Sequence, residues 1–179
     1  ITADGHVQEI VDDSTLSPFA CVTFYDPISH DDILAEMSHK QFEAWLDGLL
    51  PSPNLFYAIR IEGEFTHIKA RSVPKQENYR PLVEVAQDQS VFEFTNVRGT
   101  MAGFYTPAYM ASLNVPGMHL HFLSADQQVG GHVLECAPLT GRVGVQFIRR
   151  LELSLPMTVD YLTQDFQRDI GADLDKVEK

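Results

Sequence analysis

Hydrophobic residues recur along most of this chain with the period of a β-strand, and in one stretch with the period of a helix. The helical stretch has apolar residues at i, i+3, i+4, i+7 and i+8: Phe42, Trp45, Leu46, Leu49 and Leu50. Just before it, Ser38 and Gln41 have the spacing of a capping box, and Pro51 follows it. The pattern predicts one amphipathic helix between Ser38 and Pro51.

Short apolar segments bounded by turn residues predict strands elsewhere. They lie at residues 2–10, 18–25, 55–61, 65–71, 90–97, 100–105, 119–123, 129–137 and 142–155. Glu-Gly-Glu at 62–64 predicts a hairpin turn, and the sequences ending in Gly99 and Gly141 predict breaks between later strands. Many strands and one clear helix indicate an α+β chain that is mostly β.

The polar segment 72–81 contains two prolines and predicts a connection between two regions of the chain. We therefore expect an N-terminal region at residues 1–82 and a C-terminal region at residues 83–179. The strands of the second region are enough to close as a small antiparallel β-barrel, an arrangement that leaves no strand edge open.

The composition of the chain argues against some classes of binding partner and bears on its location in the cell. The 179 residues carry a net charge of −12, which argues against nucleic acid and anionic membranes as partners. No apolar run is long enough to span a membrane, and no signal-peptide pattern is present. Cys21 and Cys136 lie in apolar runs and are predicted to be buried, without a disulfide framework. The chain begins without Met, so we expect a processed or truncated product. We also expect a cytoplasmic location.

Three of the seven histidines lie within fourteen residues, on both sides of a turn-like segment at 124–128. Alternation along a strand puts His119 and His121 on one face. An antiparallel hairpin turning near residues 126–127 places His132 directly opposite His121. Gly130 and Gly131 allow a close approach of the backbone beside such a site. Three imidazoles with a fourth position left open form the ligand set of a catalytic zinc.

A His-x-His pair is compatible with other interpretations. It can be simply the polar face of a sheet, or belong to a metal-holding domain without catalysis. A carbonic anhydrase-like zinc site uses a similar ligand set. Cupins carry His-x-His followed within a few residues by Glu, but here Leu123, Ser124 and Ala125 follow.

Five sequence segments follow one another in a specific order along the chain. They are residues 54–65 (NLFYAIRIEGEF), 71–82 (RSVPKQENYRPL), 99–104 (GTMAGF), 117–122 (GMHLHF) and 130–134 (GGHVL). Together they resemble the α-acetolactate decarboxylase family, and the resemblance extends over roughly the whole chain.

The resemblance implies a zinc enzyme that converts 2-acetolactate, a small 2-hydroxy-3-oxo acid, to acetoin and carbon dioxide. The family's three metal ligands fall on His119, His121 and His132, the residues that the hairpin pattern selects. Its active-site arginine falls on Arg71, and its C-terminal glutamate falls on Glu178.

The resemblance also implies an architecture. It is an N-terminal mixed β-sheet with one main helix, followed by a C-terminal antiparallel β-barrel, in a homodimer. Relatives carry a segment before the position of Ile1, with a carboxylate near the metal. We therefore expect this chain to be a piece of a longer protein or a variant with an incomplete first sheet.

Overall fold

The computed structural model describes residues 1–12, 17, 19–75 and 88–163, and within them the chain is mostly β. In chain order the elements are β1 (Ser29–Ile33), α1 (His39–Gly48), β2 (Phe56–Ser72), β3 (Ser90–Thr106), a 3₁₀ turn (Ala108–Met110), β4 (Gly117–Ser124), β5 (Gly130–Ile148) and α2 (Val159–Thr163). All the strand pairings are antiparallel. The predicted mostly-β class is confirmed. No helix of the described residues has the length and apolar character needed to cross a membrane.

The strands form one sheet in the order β1-β5-β2-β3-β4, and β4 also pairs with β5. The pairings of β2, β3, β4 and β5 therefore form a closed ring. Strands β1 and β4 pair with opposite ends of β5, along the edge that β2 leaves open. Strand β2 comes from the predicted N-terminal region, while both of its neighbours come from the predicted C-terminal region. The division at residue 82 and the separate barrel stay predictions.

Helix α1 confirms the helix predicted from the apolar stripe. Its capping box is present, with the Ser38 backbone N–H donating to Gln41 Oε1 over 2.9 Å. Phe42 and Leu46 are buried in the core, and Trp45 packs at its margin. The cap gives a backbone donor at the start of the helix its hydrogen bond, and the apolar face of the helix packs against the sheet.

The turn predicted at residues 62–64 is wrong, because β2 runs through it as one strand of 17 residues. Gly63 lies opposite Gly99 of β3 on one side and Gly141 of β5 on the other. We call these three residues the glycine row. A Cβ on Gly63 would lie 2.3 Å from the carbonyl oxygen of Thr140, so this position needs glycine for a close backbone approach rather than for a turn. The breaks predicted near residues 99 and 141 are wrong for the same reason, since β3 and β5 are each continuous.

Other predicted strands are wrong as well. Residues 19–25 form no strand, and most of their side chains are open to solvent, with Phe24 99% and Val22 87% exposed. The side chain of Gln146 accepts a hydrogen bond from the Asp26 N–H and donates one to the Phe24 carbonyl oxygen. These bonds connect the segment to β5 through a side chain rather than through backbone pairing. Cys21 in this segment is exposed, whereas Cys136 is buried as predicted.

The ends of the described chain also differ from prediction. Residues 2–10 contribute a single bridge, between His6 and Val129, instead of a strand. Residues 149–155, predicted as the end of a strand, lie beyond the last residue of β5. An apolar sequence forms a strand only where a neighbouring edge supplies hydrogen bonds, which the pattern of one segment does not reveal.

Candidate metal centre

Three histidine side chains meet where β4 and β5 pair. His119 and His121 are two residues apart on β4, and His132 of β5 lies directly opposite His121. The hairpin register predicted from the sequence is therefore confirmed. Because directly opposed residues share a face, the pairing brings the third ring beside the first two.

The register is fixed by hydrogen bonds within the connecting turn. Ser124 Oγ donates to Asp126 Oδ1 over 2.6 Å and accepts from the backbone N–H groups of Gln128 and Val129 at 3.2 and 3.0 Å. Gln127 has a positive φ of 58°. A one-residue slip would turn His132 to the other face, so a well-specified turn protects the site.

The three rings lie at distances suited to sharing one ion. Ring centroids are 4.6 Å apart for His119 and His132, 5.2 Å for His119 and His121, and 5.3 Å for His121 and His132. The Nε2 atoms of His119 and His121 are 3.1 Å apart. Two nitrogens at Zn–N distances in a tetrahedron are about 3.3 Å apart, so this pair fits a shared ion closely. One nitrogen from each ring lies within 4.8 Å of the others.

The surroundings favour the neutral form of His121 and His132. The pKa of His132 is lowered to about 3, mainly by burial and to a smaller extent by the charges of Arg71 and the neighbouring histidines. Burial likewise lowers the pKa of His121 to about 4, with smaller contributions from His119 and Arg71. A neutral imidazole is the form that binds a metal ion, so near neutral pH these side chains do not need to lose a proton first.

Arg71 lies beside the three histidines. It is directly opposite His132 in the pairing of β2 with β5, and therefore on the same face. The residue is only 7% exposed, and its Nη1 donates to Gln89 Oε1 over 3.0 Å. The structure thus brings together the arginine and the histidines that the sequence singled out. Glu178 lies outside the described residues.

Sequence reasoning missed Gln89. Its side chain is partly buried at the entry to β3, two residues before Val91, which pairs with Arg71. Nothing in the local pattern of the sequence distinguishes this glutamine, because its importance depends on the pairing of β3 with β2.

Glycines let the strands approach closely around the site. A Cβ on Gly131 would lie 2.8 Å from the Arg71 carbonyl oxygen, and one on Gly130 2.4 Å from that of Phe122. On β3, a Cβ on Gly103 would lie 1.9 Å from the carbonyl oxygen of His119. The close approach predicted for Gly130 and Gly131 is confirmed.

A cavity of about 660 Å³ lies between α1 and the sheet, and His132 is among its lining residues. Phe42 and Glu43 line it from the helix, and Leu120 lines it from β4. Across its floor, Lys69 Nζ is 2.9 Å from Glu135 Oε1. The cavity leaves room for a small molecule beside the strand that carries His132.

Comparison with known proteins places this arrangement in a family. The family model for alpha-acetolactate decarboxylase matches residues 1–168. The chain belongs to the alpha-acetolactate decarboxylase family. The decarboxylase of Methanosarcina mazei is 39% identical over 180 residues, covering 100% of this chain and 62% of the relative. The decarboxylase of Brevibacillus brevis is 39% identical, covering 92% of this chain and 58% of the relative.

The fold agrees with a solved structure of the same family. The crystal structure of alpha-acetolactate decarboxylase from Bacillus subtilis strain 168 superposes with a TM-score of 0.92 at 37% identity, covering 98% of this chain and 76% of that one. The chain therefore has the fold of the decarboxylase family over nearly all its length, while it spans about three fifths of the two curated relatives named above.

Proposed function

We propose that this chain catalyses the decarboxylation of 2-acetolactate to acetoin and carbon dioxide, with a zinc ion held by His119, His121 and His132. The observation that carries the proposal is the convergence of three imidazoles beside a buried arginine, in a chain of the decarboxylase family. Three histidine nitrogens leave a fourth position for a small ligand.

When bound, the ion would act as a Lewis acid that stabilises the negative charge left as carbon dioxide departs. His121 and His132 are prepared for this role because their surroundings lower the pKa of both rings and so favour the uncharged form. The backbone turn at Ser124 holds two of the three ligands in register, so little has to reorganise when the ion enters.

Arg71 is proposed to bind the carboxylate of the substrate. A guanidinium presents a planar fork that matches a carboxylate, and the pairing is stronger where water is excluded. Its place opposite His132 puts it on the face of the sheet where the substrate would contact the ion. Holding the carboxylate there orients the bond that breaks relative to the charge that stabilises the product.

The remaining elements of the proposal rest on the family resemblance. Glu178 would deliver a proton to one face of the product of carbon dioxide loss, giving a chiral acetoin. The closed ring of strand pairings supports a β-barrel, with β2 as one of its strands. A homodimer and a cytoplasmic location complete the proposal.

The proposal is tested by incubating the purified chain with racemic 2-acetolactate and measuring acetoin. We expect acetoin to form, to disappear after treatment with a chelator and to return with stoichiometric zinc. Arg71→Ala should lower kcat/KM by at least about a hundredfold, because it removes the charge that binds the carboxylate. Arg98→Ala, which removes an exposed arginine of β3, is the matched control and should act like the wild type.

Two results would contradict the proposal. One is a zinc-loaded, folded chain that forms no acetoin. The other is a purified protein that contains iron or manganese and whose activity zinc does not restore, which would indicate a different kind of three-histidine metalloenzyme.

A further inference from the structure

A hydrogen bond from Arg71 to Gln89 supports the arginine that lies beside the three histidines. Arg71 Nη1 donates to Gln89 Oε1 over 3.0 Å, in a partly buried setting. The pairing of Arg71 with Val91 and of Ser72 with Ser90 places Gln89 at the end of the same ladder. The two strands therefore bring this amide to one edge of the guanidinium.

The chemistry of the acceptor is informative. A glutamine accepts a hydrogen bond from a guanidinium and carries no charge, so this contact does not reduce the positive charge of the arginine. A glutamate of the same length would accept the same bond but would cancel that charge. An arginine that has to attract a carboxylate therefore benefits from a neutral partner, whereas one with only a structural role would be held more strongly by an acid.

We propose that Gln89 is a positioning residue, which holds the guanidinium of Arg71 toward the substrate carboxylate without neutralising it. The inference rests on the proposed function of Arg71 as the carboxylate-binding group. It adds a residue whose role the sequence pattern did not indicate, and it requires that this residue be uncharged.

The test compares Gln89→Met, which has a similar length and no oxygen acceptor, with Gln89→Glu, which keeps the acceptor and adds a charge. We expect both to raise KM for 2-acetolactate about tenfold while kcat changes less. The methionine removes the hydrogen bond that holds the guanidinium, and the glutamate offsets the positive charge that binds the carboxylate. Gln8→Met is the control, since that side chain is exposed in the N-terminal segment. Zinc content and thermal stability are measured for every variant.

A spectroscopic measurement separates this inference from the proposed activity. In protein with ¹⁵N-labelled arginine, rotation of the Arg71 guanidinium should be slow in the wild type and in Gln89→Glu, and faster in Gln89→Met. Binding of 2-hydroxy-2-methylpropanoate, which cannot lose carbon dioxide by the same route, should weaken about tenfold in both variants.

The outcomes are distinct. A wild type that forms no acetoin overturns the proposed function, and the rotation and binding measurements still decide the role of Gln89. A Gln89→Glu variant that binds like the wild type shows a structural hydrogen bond and overturns the inference. Equal guanidinium rotation in the wild type and Gln89→Met overturns it as well.

Discussion

The hairpin of β4 and β5, which carries the three histidines, and the glycine row are both places where strands of this sheet come very close. In the hairpin, the partners are eleven residues apart in sequence, as His121 and His132 are, and side chains meet on the face of the sheet. In the glycine row, Gly63 meets Gly99 and Gly141 from distant segments of the chain, and backbones meet with no side chains between them. The first region brings side-chain nitrogens together, and the second allows long strands to pair at close range.

This difference teaches how each region tolerates change. The hairpin depends on the chemistry of its side chains, so a substitution there can remove a ligand and leave the sheet intact. The glycine row depends on the absence of side chains, so even a methyl group has to displace backbone. We therefore expect function and stability to separate between the two regions.

The largest effect is expected from His132→Gln, which keeps a polar side chain of similar size but removes one imidazole. Zinc affinity should fall by more than about a hundredfold, and acetoin formation with it, because two ligands remain where three converged. Zinc content after dialysis measures the loss. His67→Gln is the control, since His67 contacts Glu93 on an exposed area of the sheet. Full zinc retention in His132→Gln would contradict the assignment of the ligands.

The next effect is expected from Gly63→Ala in the glycine row. The added Cβ would lie 2.3 Å from the Thr140 carbonyl oxygen, so the strands have to separate and the free energy of unfolding should fall by about 2–3 kcal/mol. Gly48→Ala is the matched control, because nothing lies within 4 Å of a Cβ at the end of α1, and stability should rise by up to about 1 kcal/mol. Denaturant unfolding measures both. Equal stability of the two variants would contradict the close packing of the row.

The smallest effect is expected when the pH is lowered, which should reduce the free energy of unfolding of the metal-free protein. Folding lowers the pKa of His121 to about 4 and of His132 to about 3, from an ordinary value of 6.5, mainly through burial. Between pH 6.5 and those values the unfolded chain binds more protons than the folded chain. The free energy of unfolding should therefore fall as pH is lowered through that window.

The variants of the two regions should respond differently to pH. His132→Gln removes one of the titrating groups and should flatten the decline, whereas Gly63→Ala should shift the whole curve downward and keep its slope. Chemical unfolding of metal-free proteins at several pH values between 7 and 4 measures this. Identical slopes in the wild type and His132→Gln would contradict the burial of that imidazole.

The contrast between the regions also explains what the sequence could predict. The convergence of His119, His121 and His132 followed from alternation and one short turn, both of which are local, and α1 followed from its apolar stripe and its cap at Ser38. Gly63 was wrongly assigned to a turn because a glycine in a turn and a glycine in a close strand crossing look alike until the neighbouring strands are known. Gln89 gave no signal, since its contact with Arg71 depends on strand pairing. Residues 19–25 have the composition of a strand but pair with no strand of the described sheet.

The place of β2 in the sheet has a consequence for synthesis. Strand β2 leaves the ribosome before β3 and β5 but pairs with both of them. The backbone hydrogen-bonding groups on its two edges therefore stay unpaired until those strands have been synthesised. An unpaired strand edge invites pairing with another chain, and β5 is completed only at Ile148. The half-made protein is therefore most exposed to aggregation during the interval before its last long strand emerges.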